Sequence, residues 1–221
     1  EGHYAHRIVF DQQKTVWIRA GERQQFDPAQ DMNSNLGKIV HLNDDGTASK
    51  DNPFFDQGGI AAQIWSLGHR NPLGLAFDTS QKLWVVEMGP KGGDELNLVL
   101  KGENYGYPLV SNGDHYDGKP MPDHATRPEF KPPELDWTPV ISPSSMMIYQ
   151  SDVFPAWNNK ALIGGLSSEA IIVVDLAQKP VREVQRLQMG KRIRDLLQAA
   201  DGSIWVIEDE KGAHLLKLKP D

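Results

Sequence analysis

The stretch RIVFDQQKTVWIRAGE, residues 7–22, decides the fold, because its pattern recurs. It aligns without a gap onto GLAFDTSQKLWVVEMG (74–89) and DLLQAADGSIWVIEDE (195–210). Each copy reads as a short apolar strand, a polar turn and a second strand centred on Trp17, Trp84 or Trp205. Alternation and β-branched side chains favour strands, and clusters of Asp, Gln, Ser and Gly favour the turns between them. A fourth, degenerate copy is SDVFPAWNNKALIGGLSSEAIIVVDL (151–176), with Ala161–Gly165 in place of the tryptophan strand. Further candidate strands lie between the copies: GKIVHLN (37–43), DELNLVL (94–100), SSMMIY (144–149), AIIVVDL (170–176) and LLKLKP (215–220).

Repeated four-stranded units point to an all-β chain of the β-propeller class, here about four blades of antiparallel sheet. Loop insertions lengthen the units, and the Gly-, Pro- and Asp-rich stretch 89–136 is the largest. Helical periodicity is weak. PAQDMNSNL (28–36) reads as a short helical turn at most, and PEFKPPELDWTP (128–139) as an extended loop over the channel. A β-sandwich carrying an accidental repeat is the competing reading.

The 221 residues suit a single propeller domain over 1–221. Four units do not close a common propeller. The expected ring is incomplete, with about two blades upstream, and its bare edges are covered by a second copy in a homodimer or by a missing N-terminal segment. A net charge of −7 argues against a nucleic-acid groove. No apolar run approaches the roughly 18 residues of a membrane span. With no cysteine, disulfides and thiolate metal sites are excluded.

Counting back from each tryptophan places charged residues at equivalent strand entries. His3 and Arg70 both lie 14 residues before theirs, and Arg192 and Arg194 lie 13 and 11 before Trp205. First strands line a propeller channel, so one rim should collect His3, Arg70, Asn71, Arg192 and Arg194. A turn centred between Gln12 and Gln13 brings His3 opposite Glu22, and the same arithmetic puts Arg70 opposite Gly89. A histidine beside a carboxylate suits general-base chemistry. Arginines at i and i+2 on a strand point the same way and suit a ligand with several carboxylates. The blander readings are a surface histidine, a solvated RIRD edge paired through Asp195, and a turn at Asn-Pro. The loop EMGPKGGDELNLVLKGENYGYP (87–108) combines acids with glycines that turn carbonyls inward, a donor set suited to calcium, although from composition alone a solvated acidic turn is the better reading. Trp157, His41, His124 and His214 have no partner evident in the sequence.

GHRNPLGLAFD (68–78), GPKGGDELNLVLKGENYGYP (89–108), SSMMIYQSDVFP (144–155) and KRIRDL (191–196) together resemble the glucose/sorbosone dehydrogenase family, soluble quinoprotein aldose sugar dehydrogenases. The resemblance runs along nearly the whole chain. It implies a six-bladed propeller of four-stranded blades, pyrroloquinoline quinone (PQQ) and calcium as cofactors, an aldose substrate and a soluble electron acceptor. It also implies a periplasmic or secreted enzyme. On this resemblance His3, in an H-x-x-x-R strand opening with Arg7, is the catalytic base, Glu22 its acidic partner, and Arg70 and Asn71 bind the quinone oxygens. Arg192 and Arg194 would clamp PQQ carboxylates, with Tyr116 and the Gly165, Leu166, Ser167 segment as further cofactor contacts and Trp137 packed nearby. Gly89 and Pro90 carbonyls would hold the cofactor calcium, and Glu95 with the Tyr105 carbonyl a structural one. The rivals are a non-catalytic scaffold propeller and a metal-dependent lactonase-type propeller.

Overall fold

A computed structural model describes residues 2–220. The first sheet runs β1 (His6–Phe10), β2 (Val16–Ala20), β3 (Lys38–Leu42) and β4 (Ile64–Leu67), each antiparallel to the next. The second contains β5 (Pro72–Phe77), β6 (Leu83–Glu87), β7 (Asp94–Leu98) and β8 (Leu135–Trp137). The third contains β9 (Pro143–Ile148), β10 (Ala161–Gly165), β11 (Ala170–Asp175) and β12 (Arg182–Gln188). The fourth is β13 (Ile193–Gln198), β14 (Ile204–Glu208) and β15 (Leu215–Leu218), three strands among the described residues where the repeat suggested four. The first strands sit side by side, β1 on β5, β5 on β9, and β9 on β13, as the inner strands of neighbouring propeller blades do.

The repeated hairpin has a common physical basis. Asp11 Oδ2 accepts the Trp17 indole N–H at 3.0 Å, and Asp78 Oδ2 accepts that of Trp84 at 2.9 Å. The third copy has Ala199 at this place, so it lacks the bond. In all three copies the strands are closed by backbone bonds across five residues, Asp11 N–H to Thr15 O, Asp78 N–H to Lys82 O and Ala199 N–H to Ser203 O. The fourth residue of each turn, Lys14, Gln81 or Gly202, is left-handed, with φ of 64°, 60° and 78°. This is a three-residue hairpin loop ending in a left-handed residue. The pairing therefore centres on Gln13, with Phe10 opposite Val16, half a residue from the expected register.

Apolar side chains fill the spaces between blades. Trp84, Val86 and Leu96 pack against Met146, Ile163 and Ile172, joining the second blade to the third. Trp17, Ile39, Leu75 and Val85 join the first to the second, and Ile171, Val173, Ile193 and Ile204 the third to the fourth. Two expectations change here. Trp137 lies in β8 inside the core between blades, its indole bonded to Glu183 at 3.0 Å, and lines neither pocket described below, although its neighbours Thr138 and Pro139 line the second. Most of PEFKPPELDWTP still runs as a loop, but its end supplies β8, the outer strand of the second blade. PAQDMNSNL carries a single 3-10 turn, Asp27–Ala29, partly within it. The Arg7–Asp195 ion pair, 3.0 Å, ties β1 to β13. No described helix is long and apolar enough to cross a membrane.

Candidate active site

His3 precedes β1 with φ 58°, a left-handed conformation rare for a residue with a side chain. Its carbonyl lies against Gly21, where an added Cβ would come within 2.4 Å of it, so glycine is required there. The kink turns the His3 ring onto Glu22, and Nδ1 contacts Glu22 Oε1. The expected pair forms, by a kink beyond the ladder rather than by strand register alone. Glu22 is wholly buried, its Oε2 accepts the Phe26 N–H at 2.7 Å, and its own N–H reaches the Arg70 carbonyl at 2.9 Å. Burial alone would raise the Glu22 carboxyl. Hydrogen bonds from His3 and the Phe26 amide outweigh it and hold the group below its usual value. Arg23, Gln24 and Phe26 also have positive φ, so backbone strain gathers on both sides of this dyad.

The Arg70 segment is held from below. His69 is fully buried, with Nδ1 on Glu87 Oε1 and Nε2 on Ser66 Oγ, both at 2.9 Å, and its ring stacks on Tyr105. Glu87 Oε2 accepts the Arg70 N–H at 2.8 Å. Burial raises Glu87, but His69 and these bonds bring it below its usual range. The Arg70 guanidinium spans to the Met88 and Gly89 carbonyls, at 2.9 and 2.6 Å, as the hairpin arithmetic for Gly89 required. A bulge between Pro72 and Gly74 supplies the shift in register.

His3, Arg70, Pro90 and Tyr116 line one pocket of about 240 Å³, together with Gln24, Phe26, Tyr107, His115 and Asp117. A neighbouring pocket of about 520 Å³ shares Pro90 and Tyr116 and reaches Gly89, Asp94, Val140 and Ser142. Leu166 N–H and Ser167 Oγ bond the Ser142 and Val140 carbonyls at 2.9 and 3.2 Å, so the Gly165–Ser167 segment borders this second pocket. Arg192 and Arg194 line neither pocket. Both are held by Asp209, at 3.1 and 2.7 Å, on the rim of the fourth blade.

Two observations bear on an anionic cofactor. Arg70 Nε and Asn71 Oδ1 are buried without a described hydrogen-bond partner, on the segment whose Arg70 side chain lines the pocket. The permanent charge of Arg70 in the lining also suits a polycarboxylate. For a hard cation, the donors are oxygens. The Gly89 peptide is fixed by Asp94 Oδ1, 2.9 Å from its N–H, and by the Gly92 and Gly93 carbonyls, which leave no room for a Cβ. Burial pushes Asp94 up to about 6. Behind it, Asn97 bridges Glu87 and Glu95 at 3.0 and 3.1 Å, and burial with the Glu87 charge raises Glu95. A void of about 10 Å³ lies between Glu87, Glu95, Gly89 and Tyr105, a size suited to one water or ion. Both groups of donors fit calcium.

The histidines without evident partners prove structural or near the site. His41 bonds Asn52 and Thr15 and stacks on Trp17, while His124 lies 3.5 Å from Glu95. Gln24, Phe26, Tyr107, His115, Asp117 and Asp209 were not singled out in the sequence. Phe26 stacks on Tyr107 across a gap of 81 residues, which no local pattern signals. Asp209 alone had a readable cue, since it occupies the repeat position of Gly21 and Met88 at the same rim.

A family profile described as glucose/sorbosone dehydrogenase matches residues 1–217. The chain belongs to the glucose/sorbosone dehydrogenase family. It is 40% identical to the aldose sugar dehydrogenase YliI of Escherichia coli over 99% of its length and 60% of that protein's. A crystal structure of the apo soluble aldose sugar dehydrogenase of E. coli superposes with a TM-score of 0.88 at 38% identity, covering 98% of this chain and 65% of that one. The PQQ-bound aldose sugar dehydrogenase of Streptomyces coelicolor superposes at 0.72 with 27% identity, over 97% of this chain and 62% of that one. The chain thus spans about three fifths of the length of these relatives. These neighbours establish the propeller class of the fold.

Proposed function

We propose that this chain carries the catalytic histidine and the quinone- and calcium-binding rim of a PQQ-dependent aldose sugar dehydrogenase. The reaction is oxidation of a cyclic aldose at C1 to its lactone. His3 would take the O1 proton as the C1 hydrogen is lost as hydride. The observation that carries this reading is the His3–Glu22 pair, in which buried Glu22 backs a His3 ring that lines a pocket with Arg70.

With Nδ1 engaged by Glu22, His3 offers Nε2 to the sugar hydroxyl. The Glu22 carboxylate stabilises the imidazolium formed as the proton arrives. Arg70 and Asn71 would hold the quinone oxygens, through N–H donors of the Arg70 guanidinium and of the Asn71 side-chain amide. Tyr116, whose hydroxyl lies 3.4 Å from Arg70 Nη2, would cover one face. Arg192 and Arg194 would clamp carboxylates, and Gly165, Leu166 and Ser167 would border the cofactor. When bound, PQQ would supply the hydride acceptor, and calcium held by the Gly89 and Pro90 carbonyls would act as a Lewis acid beside it. Glu95 and the Tyr105 carbonyl would hold a second, structural calcium beneath. A soluble electron acceptor and export to the periplasm or secretion complete the proposal, with residues 1–221 in a single propeller domain.

The test is binding followed by turnover. PQQ should bind in a calcium-dependent manner, seen as quenching of intrinsic fluorescence, and the loaded protein should reduce a dye with several aldoses. Absence of PQQ binding at any calcium concentration would overturn the reading.

A further inference from the structure

The Arg70 guanidinium and the proposed calcium claim the same oxygen, and this inference rests on that calcium assignment. Arg70 Nη1 donates to the Gly89 carbonyl at 2.6 Å and to the Met88 carbonyl at 2.9 Å. The Gly89 peptide cannot turn away to relieve the overlap. Its N–H is tied to Asp94 Oδ1 at 2.9 Å, and its Cα is closed in by the Gly92 and Gly93 carbonyls. The Arg70 backbone is anchored as firmly, by its N–H on Glu87 at 2.8 Å, so only the side chain can give way. A carbonyl oxygen has two lone pairs, so a guanidinium and a metal ion can share it only with their positive charges a few ångströms apart, where they repel strongly.

We propose that Arg70 is a built-in competitor of calcium at the Gly89 carbonyl. Calcium binds weakly to the protein alone. It binds well once an anionic ligand in the pocket draws the guanidinium from Gly89 or neutralises its charge. The pocket side is within reach, because Nη2 of the same guanidinium already lies 3.4 Å from the Tyr116 hydroxyl. Arg70 then serves two functions with one charge: it receives the anion and it makes the cation's affinity depend on that anion. Linkage requires that calcium raise the anion's affinity by the same factor.

The experiment titrates calcium into PQQ-free protein by calorimetry, with the Glu95→Gln protein as parent so that the deeper acidic site is silenced. The parent is compared with the same protein carrying Arg70→Met or Arg70→Lys, and thermal melts confirm folding. Arg70→Met should bind calcium about tenfold or more tightly than the parent, within the usual range of coupling between sites. Arg70→Lys, which keeps the charge, should stay near the parent. Equal or weaker affinity in Arg70→Met overturns the competition, even if calcium plus PQQ binds the parent as proposed. No saturable calcium binding to any of the three, with PQQ present or absent, overturns the calcium assignment and this inference with it.

Discussion

Replacing Lys38 by Met should destabilise the protein by about 2–4 kcal/mol and loosen one wall of the pocket. Lys38 is fully buried at the start of β3, and its ammonium donates to the carbonyls of Pro28, Ala29 and Leu36 at 2.6, 3.0 and 2.9 Å. Burial lowers it to about 8, so it remains charged at pH 7. The three bonds pin the loop that runs from Glu22 through Phe26 to Gly37. Methionine fills similar space but offers no donor. The Ala29 carbonyl keeps the Gly68 N–H and the Pro28 carbonyl keeps the Asp31 N–H, at 3.0 and 3.2 Å. Only Leu36 loses its side-chain partner without a described replacement, at about 1–3 kcal/mol, and the other two lose about half a kcal/mol or more each. Urea unfolding at pH 7 gives the energy, and amide exchange gives the location, with faster exchange expected over residues 28–36 and in the Phe26 amide. A loss under about 1 kcal/mol with unchanged exchange would refute the reasoning, since it would mean that the ammonium does not organise this loop.

Glu22→Gln should flatten part of the acid dependence of stability. The folded carboxyl sits below its ordinary 4.5, so its contribution is complete above that pH and is lost as pH falls through the lower folded value. Wild type should therefore lose stability relative to the variant only below about pH 4.5, as measured by melts from pH 7 to 3. Asp78→Ala should cost about 2 kcal/mol or more by removing the Trp84 indole bond together with the Ser80 and Lys82 amide bonds, whereas Ala199→Asp in the third hairpin should cost nothing or stabilise, both by chemical denaturation. Arg192→Ala with Arg194→Ala should weaken PQQ binding about tenfold or more in a fluorescence titration, and leave the melting temperature nearly unchanged because both side chains are half-exposed.

The strands were legible because a pleated chain buried on one or both faces leaves a short-range mark. Trp17 and Trp84 sit at fixed distances from Asp11 and Asp78, and the same hydrogen bond closes both hairpins. The half-residue error in register has a local cause: the left-handed position of the turn is glycine only in the third copy, and Lys14 and Gln81 do not advertise it. β4 and β12 went unassigned for lack of alternation, as in the exposed, polar REVQRLQ of β12. The His3–Glu22 and Arg70–Gly89 approaches were legible from repeat arithmetic, since hairpin ends must meet. Residues delivered by distant loops were not. Tyr107, His115 and Asp117 reach the pocket through an insertion whose path depends on tertiary contacts such as the Gln30–Asn104 pair of bonds, at 3.1 and 2.7 Å. Arg192 and Arg194 share the expected strand entry, but Asp209, four residues beyond Trp205, decides where they point.

The most direct test of the account is His3→Gln in the calcium- and PQQ-loaded protein, with cofactor binding and sugar-dependent dye reduction followed together. The account predicts PQQ bound nearly as in wild type and turnover reduced by about 100-fold or more, the usual worth of a general base. Turnover within a few-fold of wild type, with PQQ still bound, would contradict it.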